Sequence, residues 1–227
     1  MGFFKNFIRF TSDATALEKI LRLFQSLCQI LAAYAISLED AATWLQLRTQ
    51  FALGRRYFRF FRFLECFSKA YDCFHGVDGV RGVLAVCKWS CLGGYMFLES
   101  VTILDAMGYW PTALAKTCLL EGNKFWFYSL VCSIIWGLLQ LVDVSSERYV
   151  DEDESSSETE VKARHQFELK RKRRMDAIKT RLVIDGFDLL TPGFVTGWIR
   201  TSISVVGFSS VVSTVLSLRE IWDRLKE

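Results

Sequence analysis

Two stretches of eighteen residues, 125–142 and 201–218, carry no charged side chain in a chain of 227 residues. At ~1.5 Å rise per residue each covers roughly 27 Å, just short of a ~30 Å hydrocarbon core. For 125–142 a bilayer span and a buried core helix are both open. The stretch 201–218 is the better spanning candidate: it is rich in Ser, Gly and Val, holds Gly207 near its middle, and lies between Trp198 and Trp222. Small residues let helices approach closely in lipid, and Trp suits the bilayer interface.

The rest of the composition agrees with a membrane setting. The chain is 51% hydrophobic with a mean hydropathy of +0.21, more apolar side chain than a soluble domain of this size needs. A polytopic transporter would show several clean apolar runs, and this chain shows two. The expected fold is all-α: a membrane-associated bundle of long amphipathic and hydrophobic helices. The two prolines, Pro111 and Pro192, are expected to fall between helical stretches.

Asp13 is placed to cap a helix reaching about Leu38. Along it Leu17, Ile20, Leu21, Phe24, Leu27, Cys28 and Leu31 recur at three and four, while Glu18, Arg22, Gln25, Ser26 and Gln29 take the other side. Its apolar face is expected to seek a partner surface. From about Glu39 to Phe74 a second helical pattern follows. Arg48, Arg55, Arg59, Arg62 and Lys69 fall on one stripe with Cys66, Arg56 lies at its flank, and Tyr57, Phe60, Phe61, Leu64, Phe67 and Tyr71 lie opposite. A basic stripe facing an aromatic one is the pattern of a helix lying in a membrane interface. The competing reading packs the aromatic face against the first helix.

Gly76, Gly79 and Gly82 mark a loop, without the preceding strand that a phosphate-binding fingerprint requires. Residues 83–107 are helical in character, interrupted by Lys88 and Glu99, and another helix follows Pro111. Six acids and three serines without a base fill 151–160, an expected solvated linker in which Ser155, Ser156 and Ser157 are candidate phosphorylation sites. Nine bases against two acids follow over 162–181, including Lys170-Arg171-Lys172-Arg173-Arg174. That run reads as a solvated helix face or as an anchor for anionic headgroups or a targeting receptor. A nuclear signal fits the neighbouring apolar segments poorly, and no nucleic-acid partner is expected.

Four regions result: an N-terminal amphipathic region over 1–76 with the basic and aromatic membrane-binding helix, a hydrophobic hairpin over 77–142, an acidic linker over 143–161, and a basic helix with a closing membrane helix over 162–227. Seven cysteines form no CxxC pair, and His75 and His165 stand alone. Neither a disulfide framework, a metal site nor a cofactor is expected, and no nucleophile–base constellation points to an enzyme. Asn6 stands where a myristoylation signal wants Ser or Thr, and no signal peptide or Asn-x-Ser/Thr acceptor is present.

In order along the chain these segments resemble the peroxin-11 family, in a fungal branch. Lys19-Ile20-Leu21-Arg22-Leu23-Phe24-Gln25 is similar to the family's opening helix, and Arg55-Arg56-Tyr57-Phe58-Arg59-Phe60-Phe61-Arg62-Phe63-Leu64 to its membrane-bending helix. Leu182-Val183-Ile184-Asp185 with Asp188-Leu189-Leu190-Thr191-Pro192 resembles its Asp-and-Pro segment. Val206-Gly207-Phe208-Ser209-Ser210-Val211-Val212-Ser213, followed by Trp222, resembles its closing glycine-serine helix. The resemblance implies a peroxisomal membrane protein that elongates the organelle before division, acting on an anionic phospholipid membrane, with copies of itself or family members and the fission machinery as partners. It also implies that both termini face the cytosol. Two spans would then put the bases of 162–181 in the lumen, against the positive-inside tendency, so either only the last segment spans or the rule is weak here.

The expected mechanism is insertion of a wedge ~5–10 Å into one leaflet. Six apolar side chains at ~1.5–3 kcal/mol each bound its apolar term near 9–18 kcal/mol, of which interfacial burial realises about half. Five bases at ~1 kcal/mol each add about 5. The alternative function is a channel or carrier for small metabolites, in which Lys88 or Glu99 faces water.

Overall fold

The computed structural model describes residues 2–76, 79–147 and 158–226. Among them the chain is helical without a strand: α1 (Phe3–Ser12), α2 (Ala14–Ala33), α3 (Leu38–Phe58), α4 (Arg62–Gly76), α5 (Gly79–Val101), α6 (Ile103–Ala106), α7 (Leu114–Ser146), α8 (Glu158–Thr196) and α9 (Ile203–Lys226). Of the acidic linker expected over 143–161, residues 148–157 with the three serines lie outside the described residues, while α7 runs to Ser146 and α8 already begins at Glu158.

Helix starts follow local chemistry. The Asp13 carboxylate accepts the Ala16 amide at 2.8 Å and so caps α2. Ser37 does the same for α3 with the Asp40 amide at 3.0 Å, and Glu39 and Asp40 in the first turn complement the helix dipole. The single helix expected over 39–74 is two helices. After Phe58 the backbone tightens into i→i+3 bonds at Arg59 and Phe60, and α4 restarts at Arg62. Ser100 of α5 donates to the freed Phe60 carbonyl at 2.6 Å, so the break is satisfied from a neighbouring helix. Pro111 lies between helices as expected, but Pro192 does not: it sits inside α8, which continues to Thr196. There the chain turns at Gly197 (φ 77°), a conformation that favours glycine, and the Ile199 amide bonds back to the Gly193 carbonyl.

Six antiparallel members close into a ring. α3 packs on α2, α2 on α9, α9 on α8, α8 on α7, α7 on α5 and α5 on α4. Because α4 continues α3 beyond the break, the broken pair forms one member and completes the circuit. Within the ring α5 and α7 are joined through α6 and pinned by Ser129 on the Lys88 carbonyl and by Arg81 on Asp143. Close approach depends on glycine. A Cβ on Gly207 would meet Ile30 Cγ1 at 2.7 Å across α9–α2, and one on Gly137 would meet Leu182 Cδ2 at 2.7 Å across α7–α8. Gly207→Val should therefore cost about 1–3 kcal/mol by overpacking and lower the unfolding temperature in detergent. Gly186→Ala, where a Cβ meets nothing within 4 Å, should not.

The core is polar and the outside apolar. Helix α2 buries Glu18, Arg22, Ser26 and Gln29 and exposes Phe24, Leu27 and Leu31. Helix α9 buries Ser209, Ser210, Ser213, Thr214 and Ser217 and exposes Val205, Phe208, Val212 and Val215. The apolar face of 13–38, expected to seek a partner surface, is turned to the outside of the ring through Phe24, Leu27 and Leu31. Among the described residues two helices are long and apolar enough to cross a membrane, α7 and α9, and both belong to the ring. Only 22% of the apolar window of α7 is buried, whereas the core helix of a water-soluble protein would be mostly buried.

Candidate functional site

The periodicity that aligned Arg48, Arg55 and Arg59 holds, and it turns their side chains into the ring. Arg55 Nε donates to Glu18 at 2.8 Å and its Nη1 to Gln25 at 2.6 Å. Arg59 Nη2 donates to Glu99 and to the Tyr95 hydroxyl, the latter at 3.2 Å, and Arg56 pairs with the same Glu99 at 3.5 Å. Arg22 grips Asp188 of α8 with two parallel bonds of 2.6 and 3.0 Å, the bidentate form that carries the strongest charge-assisted pairing. Its Nε reaches Ser210 at 3.3 Å, and Ser26 donates to the same hydroxyl at 2.7 Å. The rings of Tyr95 and Trp126 stack at 5.2 Å beneath these guanidiniums, with Arg22 over Trp126 and Arg59 over Tyr95.

These groups form a septum across the middle of the ring, with a chamber on either side. One chamber, of about 380 Å3, opens toward the end where Arg224 meets Asp13. Lys88, Arg181 and Asp185 line it, and Asp185 accepts from Ser133 and pairs with Arg181 at 3.1 Å. The other, of about 320 Å3, extends toward the start of α9. There Arg48 donates to Gln29 at 3.0 Å, and Gln29 in turn donates to the Ile203 carbonyl at 2.9 Å. Arg22, Arg55, Arg59, Tyr95 and Trp126 line both.

Of the residues expected to bind membrane, the structure buries Arg55 and Arg59 and half-buries Arg48, Arg62 and Lys69. In this fold the Arg55 and Arg59 guanidiniums face carboxylates, so they are not placed at a headgroup layer. Arg62 lines the first chamber, and Lys69 pairs with Glu65 and sits 4.7 Å over the Trp89 ring. The opposite face is open: Tyr57, Phe61, Leu64, Phe67 and Tyr71 are exposed, and half-buried Phe60 packs edge-on against Phe61 at 4.7 Å. The basic run of α8 is mostly exposed, but Arg171 donates to the Val144 and Ser145 carbonyls and Arg174 bonds Glu147, which ties it to the end of α7.

Sequence reasoning missed Glu18, Arg22, Tyr95, Trp126 and Asp188 as one cluster, because their partners lie up to 166 residues apart. A signal was present: a stripe mixing Glu18, Arg22, Ser26 and Gln29 is too small and too mixed in charge for an ordinary solvated face. It also missed α1, which packs on the ring through Phe3 and Phe10 against Trp222 and leaves Phe4, Phe7 and Ile8 exposed.

The sequence profile of peroxisomal biogenesis factor 11 matches residues 4–222. The chain is similar to the peroxisomal membrane protein PMP27 of Saccharomyces cerevisiae, with 25% identity over 232 residues covering 95% of this chain and 93% of that protein. No solved structure matches.

Proposed function

This chain belongs to the peroxisomal biogenesis factor 11 family, and from that premise we propose that it deforms the peroxisomal membrane from within, as an embedded ring whose outer aromatic surface occupies lipid. It is a protein of the peroxisomal membrane that serves peroxisome proliferation. The observation that carries the mechanism is the inversion of burial: charge inside, Phe and Leu outside. In water that arrangement is unfavourable on both counts, and in a bilayer it is favourable on both.

The wedge is then a face, not a whole amphipathic helix. Tyr57, Phe61, Leu64, Phe67 and Tyr71 on α3 and α4 displace acyl chains, while the arginines of the same helices stay in the ring's interior. Helix α1, with Phe4 and Phe7 outward, adds a short element at the end where Trp222 lies. Full-length protein reconstituted into vesicles of phosphatidylcholine and phosphatidylserine should draw them into tubules. The triple change Phe61→Ala, Leu64→Ala, Phe67→Ala should shorten or abolish the tubules with the protein still inserted. It removes about 2–4 kcal/mol if half of full burial is realised. Round vesicles with the unaltered chain, or full tubulation by the triple variant, would count against the reading.

A second reading, passage of small solutes, is favoured by the two chambers meeting at one septum. Discrete conductance steps in planar bilayers, altered by changes at Arg22 or Asp188, would favour it over deformation alone.

A further inference from the structure

We propose that the second chamber, between the septum and the start of α9, binds a small dianion through oxyanion groups, carboxylate or phosphate. The inference goes beyond membrane deformation and does not depend on it.

Charge accounting carries it. Arg22, Arg48, Arg55, Arg56 and Arg59 all line this chamber. The carboxylates in contact with them are Glu18, Glu99 and Asp188. Glu18 serves Arg55 and approaches Arg59 at 3.8 Å, Glu99 is shared by Arg56 and Arg59, and Asp188 is taken by Arg22. Among the described residues Arg48 meets only the neutral amide of Gln29. Five guanidiniums against three carboxylates leave two positive charges uncompensated inside a ring with an apolar exterior, where an unpaired charge is costly.

Two buried donors point the same way. Arg59 is 9% exposed, and its Nε has no hydrogen-bond partner among the described residues. The Thr191 hydroxyl is likewise buried without a partner; the Phe187 carbonyl one turn before it is taken by Ser209 at 2.5 Å. Both residues line the second chamber. Groups of this kind are normally satisfied, so two in one chamber are explained by a molecule that accepts from them. About 320 Å3 accommodates a small organic acid, since one water takes about 30 Å3. The first chamber differs in its lining: four carboxylates, Glu18, Asp185, Asp188 and Glu220, reach it and compete with an anion for its bases, whereas among the described residues Glu99 is the one carboxylate lining the second.

The oxyanion could belong to a free solute or to a lipid headgroup, and the test separates them. Full-length protein in a neutral detergent is titrated with succinate, with inorganic phosphate and with phosphatidic acid in mixed micelles, using calorimetry and the thermal unfolding shift. Saturable binding near one per chain is expected for at least one of the three. Succinate or phosphate identifies a free solute as the source; phosphatidic acid alone identifies the headgroup. Arg48→Gln and Arg56→Gln should each weaken binding at least tenfold. Arg62→Gln, in the lining of the first chamber, should leave it within about twofold. Glu99→Gln should tighten it, which loss of structure would not do. Absence of saturable binding to all three probes overturns the proposal, as does an equal loss in Arg62→Gln. Neither result touches the deformation reading, because no bilayer is present.

Discussion

Arg22→Leu should unfold much of the protein. It leaves the buried Asp188 carboxylate, which lines the first chamber with Trp126, Arg55 and Arg59, with its bidentate partner gone. Removing one member of a buried pair costs about 3–5 kcal/mol, a large share of the ~5–15 kcal/mol that holds a domain together. Asp188→Asn should be nearly as damaging, since it strands Arg22. The double change Arg22→Met, Asp188→Leu should recover most of the loss, because the cost lies in the orphaned charge rather than in the missing attraction. Thermal unfolding in detergent and steady-state abundance in cells read this directly. Single variants within about 1 kcal/mol of the parent would show that the septum does not carry the stability assigned to it.

The second large effect concerns the outer surface. Val212→Arg and Phe208→Arg place a charge on the exposed face of α9, at positions where a water-soluble bundle would accept it within about 0.5 kcal/mol. In the middle of a bilayer each arginine costs about 2.5–3.5 kcal/mol on insertion scales. The pair should therefore move the protein from the alkali-resistant membrane fraction to the supernatant, or lead to its degradation. Ser213→Ala, one residue away but inside the ring, should leave it in the membrane. If the arginine pair remains as membrane-bound as the parent, α9 does not face lipid.

Much of the helical layout was legible in the sequence. The Asp13 cap, the uncharged lengths of α7 and α9, and the stripe joining Arg48, Arg55 and Arg59 all follow from spacing and composition. What periodicity cannot supply is a direction. A stripe of arginines opposite a stripe of aromatics looks the same whether the arginines meet headgroups or a buried glutamate. Only Glu18, 37 residues before Arg55, decides between them. The break after Phe58 was hidden for a similar reason: no proline or glycine marks it, and Ser100, 40 residues later, receives the loosened carbonyl. Pro192 misled in the opposite sense, since a proline can be carried within a helix when its neighbours absorb the lost amide bond.

The bond between Arg22 and Asp188 also constrains how such a protein is made. Its two halves leave the ribosome 166 residues apart, and α9, which supplies Ser210 beside them, comes last of all. A scheme that commits α2 to the hydrocarbon as soon as it is synthesised would strand a guanidinium and a carboxylate there with nothing to meet. For a ring embedded as proposed, insertion is expected to follow synthesis of α8 and α9, and a chain truncated before α8 leaves Arg22 without its carboxylate.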